Sequence, residues 1–405
     1  MNSSKVPIGA EYSPSFTCGN PLPLAHCYLG IQSHRGTGAT REVIEARTRL
    51  GTSIAGDPVY GNKAIQSKAR RAIASLLGSH ADNVTLTGNT NEGLHIIKRG
   101  MGLTETDSVL IYEAEYVDVK TPFANRNDVT SGPKVVFFEG EKDGWNRPLG
   151  FNLEVLERAL NLHCPRLLVV SHVQFPNGFT SDIDAIVKMA RRVGTRVVVD
   201  VAQSFGVLPF TPDEYGCDAV VAPLWKWLGG LRGAGFLWTS EEFRKHLKVD
   251  RLTSSCLPGA SFTSDVSIEP LSSTGSRFEA STLPTDAVWV TTAEMLQERY
   301  EIGMAAITDR LRFLQRLILD QLQDSEQLLL CPNLNGLNGS FLSFALAGEL
   351  FGKEDKLASI MFSQHQIDLT VRAGFLRIAP HAFNPEDSLI DATNKLKEVI
   401  RYLAI

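Results

Sequence analysis

Short apolar runs alternate with amphipathic stretches through the middle of this chain. NVTLTG, SVLIYEAE, KVVFFEG, RLLVVSHVQF, RVVVDVAQ and DAVVAPLW do not alternate apolar with polar positions, the pattern of strands buried on both faces. Between several of them stand NEGLHIIKRG, NLEVLERALN and SDIDAIVKMARRVG, amphipathic segments that read as helices. Strand and helix in turn build a largely parallel sheet covered by helices, which predicts an α/β domain over residues 40–285. REVIEARTRLG and AIQSKARRAIASLLG read as surface helices, with helical patterning beginning near Thr40. Residues 1–39, proline-containing and weakly periodic at their start, read as an N-terminal arm lying over the body.

Beyond Pro284 the pattern changes. TDAVWVTTAEMLQERYEIGMAAITDRLRFLQRLILDQL predicts long helices, and GSFLSFALAG, KEDKLASIMFSQ, GFLRIAP and EDSLIDATNKLKEVIRYLA follow as strand, helix, strand and helix. Residues 286–405 are therefore expected to form a smaller α+β domain with an antiparallel sheet. At 405 residues the chain is long enough for such a two-domain arrangement.

Charge narrows the partners. A net charge of −5, with Lys and Arg scattered, provides no basic stripe for nucleic acid or an anionic membrane, so neither is expected. Residues 1–30 lack the basic start and long apolar run of a signal peptide, and no segment reaches the roughly 20 apolar residues that span a bilayer. A cytoplasmic protein is the expectation. Cysteines at 18, 27, 164, 217, 256 and 331 show no CxxC spacing and read as buried or free thiols.

In open α/β sheets ligands bind at the carboxyl ends of the strands. Thr90, Tyr116, Gln174, Asp200 and Lys226 all fall just after apolar runs, so five segments can converge on one pocket. Asp200 ends RVVVD, Gln203 follows three residues later, and Lys226 stands 26 residues after Asp200 before a glycine-rich turn. These are the parts a pyridoxal 5'-phosphate (PLP) site requires: an amine to condense with the cofactor's aldehyde and a carboxylate to keep its ring nitrogen protonated.

Plainer readings stand beside this one. Lys226 alone could be a surface lysine packed between Trp225 and Trp227, and Asp200 alone could cap a turn or hold magnesium in an ATPase. The chain has no GxxxxGK[ST] loop, and GGLRGAG does not follow a first strand as a dinucleotide site requires. No HExxH, metal-spaced His/Cys cluster or GxSxG elbow occurs, so no metal site is expected. His34, His95 and His381 read as structural, although His34 lies where the arm could close over the pocket.

Taken in order, VVVDVAQSFGVLPF, CDAVVAPLWKWLGGLRGAGFLW, SRFEASTLPT and GFLRIAPHAFNPED resemble the class V aminotransferase and cysteine desulfurase family of fold-type-I PLP enzymes. The resemblance implies PLP as cofactor, Lys226 as its Schiff-base lysine, Asp200 at the ring nitrogen and Gln203 at the phenolic oxygen. It places Thr90 and Asn91, in TLTGNTNEGLHII, at the turn that grips the cofactor's phosphate, and Tyr116 stacked on the ring. Thr282 would reach the neighbouring subunit's phosphate, which implies a homodimer with its site at the subunit interface. Arg377 matches the arginine that holds the substrate's α-carboxylate, with Arg372 the second choice.

Three positions depart from the family's pattern. Trp225 stands where a histidine usually precedes the lysine, Pro223 replaces a serine, and Ser281 replaces a glycine. No cysteine follows Cys331, which disfavours persulfide chemistry. The expected function is that of an aminotransferase-like enzyme acting on an α-amino acid or similar small amine. A carbon–sulfur β-lyase needing no catalytic cysteine, an epimerase or racemase, and a PLP-free binding relative remain as alternatives.

Overall fold

The computed structural model describes residues 21–124, 132–257, 259, 265–280, 283, 286–331 and 339–405. Its first strand, β1 (Leu22–Pro23), belongs to the arm. Helix α1 (His34–Leu50) follows, capped by the Ser33 hydroxyl, which accepts from the Gly36 amide at 3.2 Å. This helix starts before Thr40 because its first turns, HRGTGA, carry no large apolar residue to mark a period. Helix α2 (Asn62–Leu76) lies next in the chain.

The apolar runs then become a seven-stranded sheet. In chain order its strands are β2 (Val84–Thr87), β3 (Ser108–Tyr112) and β4 (Lys134–Phe138). A small hairpin of β5 (Glu141–Lys142) and β6 (Pro148–Gly150) interrupts, and the sheet resumes with β7 (Leu167–Ser171), β8 (Arg196–Asp200), β9 (Ala219–Pro223) and β10 (Gly235–Thr239). The spatial order is β2-β10-β9-β8-β7-β3-β4, with β10 antiparallel to both neighbours and the remaining pairs parallel. Helices α3 (Thr90–Gly100), α4 (Leu153–His163) and α5 (Ile183–Arg192) fill crossovers. Val197, Val198 and Val199 are wholly buried, as expected of a strand covered on both faces. KVVFF differs: β4 lies at the sheet edge, and Phe137 is 51% exposed.

The long helical stretch serves two cores. Helix α6 (Asp286–Ile302) packs against α1 and α2 and buries Trp289, Ala293 and Leu296 with the large sheet's apolar cluster. After Gly303, α7 (Met304–Leu322) turns to the smaller unit and packs against its C-terminal helix. There β11 (Leu328–Leu330), β12 (Leu342–Leu346), β13 (Ile367–Asp368), β14 (Thr370–Arg372) and β15 (Phe375–Ile378) stand with α8 (Glu354–His365) and α9 (Glu386–Leu403). The antiparallel order is β11-β12-β15-β14. The architecture is therefore a large, mainly parallel sheet domain covered by helices, with a smaller α+β unit beside it.

The arm touches both units. Strand β1 pairs in parallel with β13, Leu22 opposite Ile367, and the Gly30 amide donates to the Trp225 carbonyl at 2.9 Å. A Cβ on Gly30 would lie 1.8 Å from the Lys226 carbonyl oxygen, so no larger residue fits there. No helix among the described residues is long and apolar enough to cross a membrane.

Candidate active site

Strand pairing brings the acid and the lysine to one edge. Asp200, the last residue of β8, lies opposite Val221 of β9, and Lys226 follows β9 by three residues. Both line a cavity of about 640 Å³ at the carboxyl end of the sheet. Burial pushes the Asp200 carboxyl up to about 7, opposed by the neighbouring Lys226 amine and by the Ala202 amide, which donates to Oδ1 at 2.7 Å. Burial likewise pulls the Lys226 amine below its ordinary range; Asp200 works against that shift, and Arg377 adds to it. A desolvated amine between an acid and a guanidinium keeps its lone pair more accessible for condensation with a carbonyl.

Gln203 is oriented by its neighbours. The Trp227 indole N–H, which can only donate, donates to Gln203 Oε1 at 3.1 Å, so the amide nitrogen must lie on the other side. That nitrogen donates to the Cys27 carbonyl at 2.9 Å, and its second N–H remains for whatever occupies the cavity, which Gln203 lines. Trp227 itself is buried, and its carbonyl receives His381 Nε2 at 3.0 Å. His381 is thus the structural residue expected, while His34 opens α1 as an exposed residue away from the cavity lining and His95 is half-buried within α3.

At the start of α3 the expected pair divides. Thr90 is buried, lines the cavity, and its Oγ1 has no hydrogen-bond partner among the described residues. A buried hydroxyl left unpaired costs about 1–3 kcal/mol, which a ligand oxygen would recover. Asn91 also lines the cavity, but its amide donates to the Asp118 carbonyl at 3.1 Å and toward Thr121 Oγ1 at 3.4 Å. Its side chain therefore ties α3 to the short helical turn Val117–Lys120 beyond β3, leaving the first-turn amides as its contribution to anion binding. Asn89 caps this helix, accepting from the Glu92 amide at 2.9 Å. Tyr116 packs edge-on against Phe175, and Lys226 Nζ lies 5.7 Å from its ring centroid.

Arg377, on β15, closes the far wall. It is 2% exposed; Nη1 donates to the Phe175 carbonyl at 2.7 Å and Nε to Thr370 Oγ1 at 3.1 Å. Its hydrogen bonds go to a carbonyl and a hydroxyl, and its guanidinium lies 5.5 Å from the Phe341 ring centroid; with no carboxylate paired to it among the described residues, a buried cation faces the cavity without an anionic partner. Arg372 lines the same cavity but is exposed, and it lies over the Tyr28 ring at 5.6 Å. Pro223 and Trp225 also line the cavity. Thr282 and Ser281 lie outside the described residues.

Several lining or supporting residues escape a sequence reading. Glu115 is buried with its carboxyl raised by desolvation, and it accepts from Ser171 N, Ser171 Oγ and Gln174 Nε2 at 2.6–2.7 Å. Its one signal was its place beside Tyr116 after an apolar run. Cys27 and exposed Arg232 also face the cavity, the first delivered by the arm, the second by the glycine-rich turn. The donor set fits PLP: an orphaned hydroxyl at a helix N-terminus for a phosphate, a carboxyl for a ring nitrogen, an amide N–H for a phenolic oxygen, and a desolvated amine for an aldehyde.

Comparison with known proteins points the same way. A family model described as aminotransferase class-V matches residues 50–374. A probable cysteine desulfurase from Methanothermobacter thermautotrophicus is 25% identical over 236 residues, 57% of this chain and 53% of that protein. The isopenicillin N epimerase of Amycolatopsis lactamdurans is 24% identical over 351 residues, 82% and 84% of the two chains. Against its curated desulfurase relatives the chain spans about half their length. The solved cystine C–S lyase C-DES, in complex with cysteine persulfide, shares the fold at a TM-score of 0.79 and 18% identity, covering 94% of this chain and 98% of that one. A cysteine desulfurase from Thermococcus onnurineus shares it at 0.77 and 19%, covering 94% and 95%.

Proposed function

The chain belongs to the aminotransferase class-V family, whose members depend on PLP, and from that premise we propose that it is an enzyme that transaminates an α-amino acid at Lys226. One observation carries the substrate class: the buried Arg377 guanidinium, without an anionic partner among the described residues, on the wall of the cavity that Lys226 also lines. A fork of that kind suits a carboxylate bidentately, and lysine does not replace it.

When bound, PLP supplies a carbonyl that condenses with amines and a conjugated ring that accepts electrons released at the substrate's Cα. Thr90 Oγ1 and the first amides of α3 would hold the phosphate, Asp200 would keep a proton on the ring nitrogen, and Gln203 would donate to the phenolic oxygen. Tyr116 would cover the ring and exclude water. Lys226, its basicity lowered by burial, would serve as the base that takes the proton from the substrate's Cα and as the acid that gives it back. Arg377 holds the substrate so that the Cα–H bond faces Lys226. The proposal includes a homodimer in which the partner subunit's Thr282 completes the phosphate site; sedimentation of the native protein as a monomer would remove that part.

The deciding experiment incubates the holoenzyme with a panel of amino acids. Conversion of the cofactor to its pyridoxamine form supports transamination. Pyruvate released with sulfide would replace this reading with β-elimination, and hydrogen exchange at Cα without either product would replace it with epimerisation. A protein that stays colourless with added PLP would end the enzyme reading altogether.

A further inference from the structure

Both cavity arginines that come from the smaller unit ride on one tight hairpin. Arg372 pairs with Phe375 across the turn, and Ala373 and Gly374 have φ of 50° and 75°, the left-handed pair that closes a two-residue loop. The tip of this hairpin meets the β5–β6 hairpin of the larger unit at Arg147. Arg147 Nη1 donates to the Gly374 carbonyl at 3.2 Å, and its guanidinium lies 5.3 Å from the Phe375 ring centroid. A Cβ on Gly374 would come within 2.9 Å of Arg147 Cδ, so backbone and stem are in close contact.

Arg147 is itself set in place before it touches the hairpin. Asp143 accepts from Arg147 Nε at 2.6 Å and from its amide at 2.9 Å. The guanidinium lies 5.0 Å from the Trp145 ring and 5.4 Å from Phe351, and these two rings stack on each other at 5.0 Å. Glu354, at the start of α8, stands 3.7 Å from Nη1. Only 7% of Arg147 is exposed, so the charge is confined between rings and acids from both units.

We propose that Arg147 is a positioning residue that fixes the carboxylate-binding hairpin relative to Lys226. The larger unit supplies the amine and the smaller unit the guanidinium, so their separation depends on contacts between the units. Arg377 anchors one end of the hairpin through the Phe175 carbonyl, and Arg147 anchors the tip. With the tip released, β15 stays paired with β12, Arg377 opposite Ser343, but the edge strand β14, whose Thr370 hydroxyl orients Arg377 Nε, is freed to shift, and Arg377 meets a carboxylate off its bidentate geometry. This inference rests on the reading of Arg377 as the carboxylate site.

Two carbonyl reagents test it without knowledge of the natural substrate. Aminooxyacetate carries a carboxylate and O-methylhydroxylamine does not, and both discharge lysine-bound PLP with loss of its visible band. The ratio of their rate constants reports the carboxylate site alone. In PLP-loaded Arg147→Met we expect that ratio to fall about tenfold, because misplacement by an ångström is enough for such losses, with the O-methylhydroxylamine rate unchanged. Backbone hydrogen exchange of residues 370–378 should accelerate while residues 196–228 keep their protection. Arg147→Lys, retaining charge and stem, should recover part of the ratio and stands in if the methionine variant folds poorly. An unchanged ratio with unchanged exchange overturns the proposal. If the unaltered enzyme shows no preference for aminooxyacetate, the carboxylate role of Arg377 fails instead, and hydrogen exchange alone decides whether Arg147 holds the hairpin.

Discussion

Asp200 and Lys226 stand at and just beyond the ends of neighbouring parallel strands, in register through Asp200 and Val221 and backed by fully buried valines, whereas Arg372 and Arg377 ride on a hairpin tied to the larger unit by side chains. The first arrangement is a backbone ladder, which cannot shift by less than a residue without losing its hydrogen bonds. The second is a ladder within the smaller unit, β15 lying between β12 and β14, and its placement against the larger unit can change by small rotations. On the proposed reading, a site built this way would keep Asp200 and Lys226 rigid and leave Arg372 and Arg377 adjustable.

The sharpest way to break the contrast is at the rigid end. Lys226→Ala should abolish the borohydride-bleachable visible band and lower turnover by at least about a thousandfold, since it removes the covalent anchor and the base together. Retention of either would move the chemistry to another amine. Asp200→Asn should keep the band but lower kcat about a hundredfold, roughly 2.7 kcal/mol of lost electron-sink stabilisation, read by steady-state kinetics. It also has an opposite effect on the cofactor-free protein. Asp200 titrates at about 7 when folded, above its unfolded value of 3.8, so its cost to stability is absent below pH 4, grows as pH rises and is complete above 7. Cofactor-free Asp200→Asn should therefore melt several degrees above the unaltered protein at pH 8 and not at pH 4.

At the adjustable end the effects should be smaller and confined to binding. Arg377→Ala should raise KM for an amino acid about thirtyfold, the value of a lost charge-assisted pair, while the lysine-bound band persists. Equal loss in kcat would mean that Arg377 orders the rigid end too. Least of all, Trp227→Phe frees the Gln203 amide to rotate and should weaken cofactor retention about fivefold, measured by dialysis against apo-protein.

These differences track what was readable in the residues. The strands of the large sheet declare themselves because burial on both faces leaves uninterrupted apolar runs, and Asp200 and Lys226 were legible because each punctuates such a run. The start of α1 was hidden by small residues, and β4 reads like a central strand although the sheet ends at it. Glu115 and Arg147 escaped for a different reason. Their partners are Ser171 and Gln174 in one case and Gly374 and Phe375 in the other, residues that only tertiary structure brings near. Asn91 shows the converse: its position at the cavity was readable, but not that the Asp118 carbonyl engages its amide.

The close fit of Gly30 against the Lys226 carbonyl also bears on the order of folding. Residue 22 pairs with residue 367, so the arm can settle only once β13 of the small unit is in place, and closure over so long a separation is among the slower events of folding. The loop carrying Lys226 is thus expected to be completed only when the arm docks against it. A refolding experiment should see PLP captured in the final phase, after the small sheet has formed; capture before that phase would show that the lysine loop is ready without its arm.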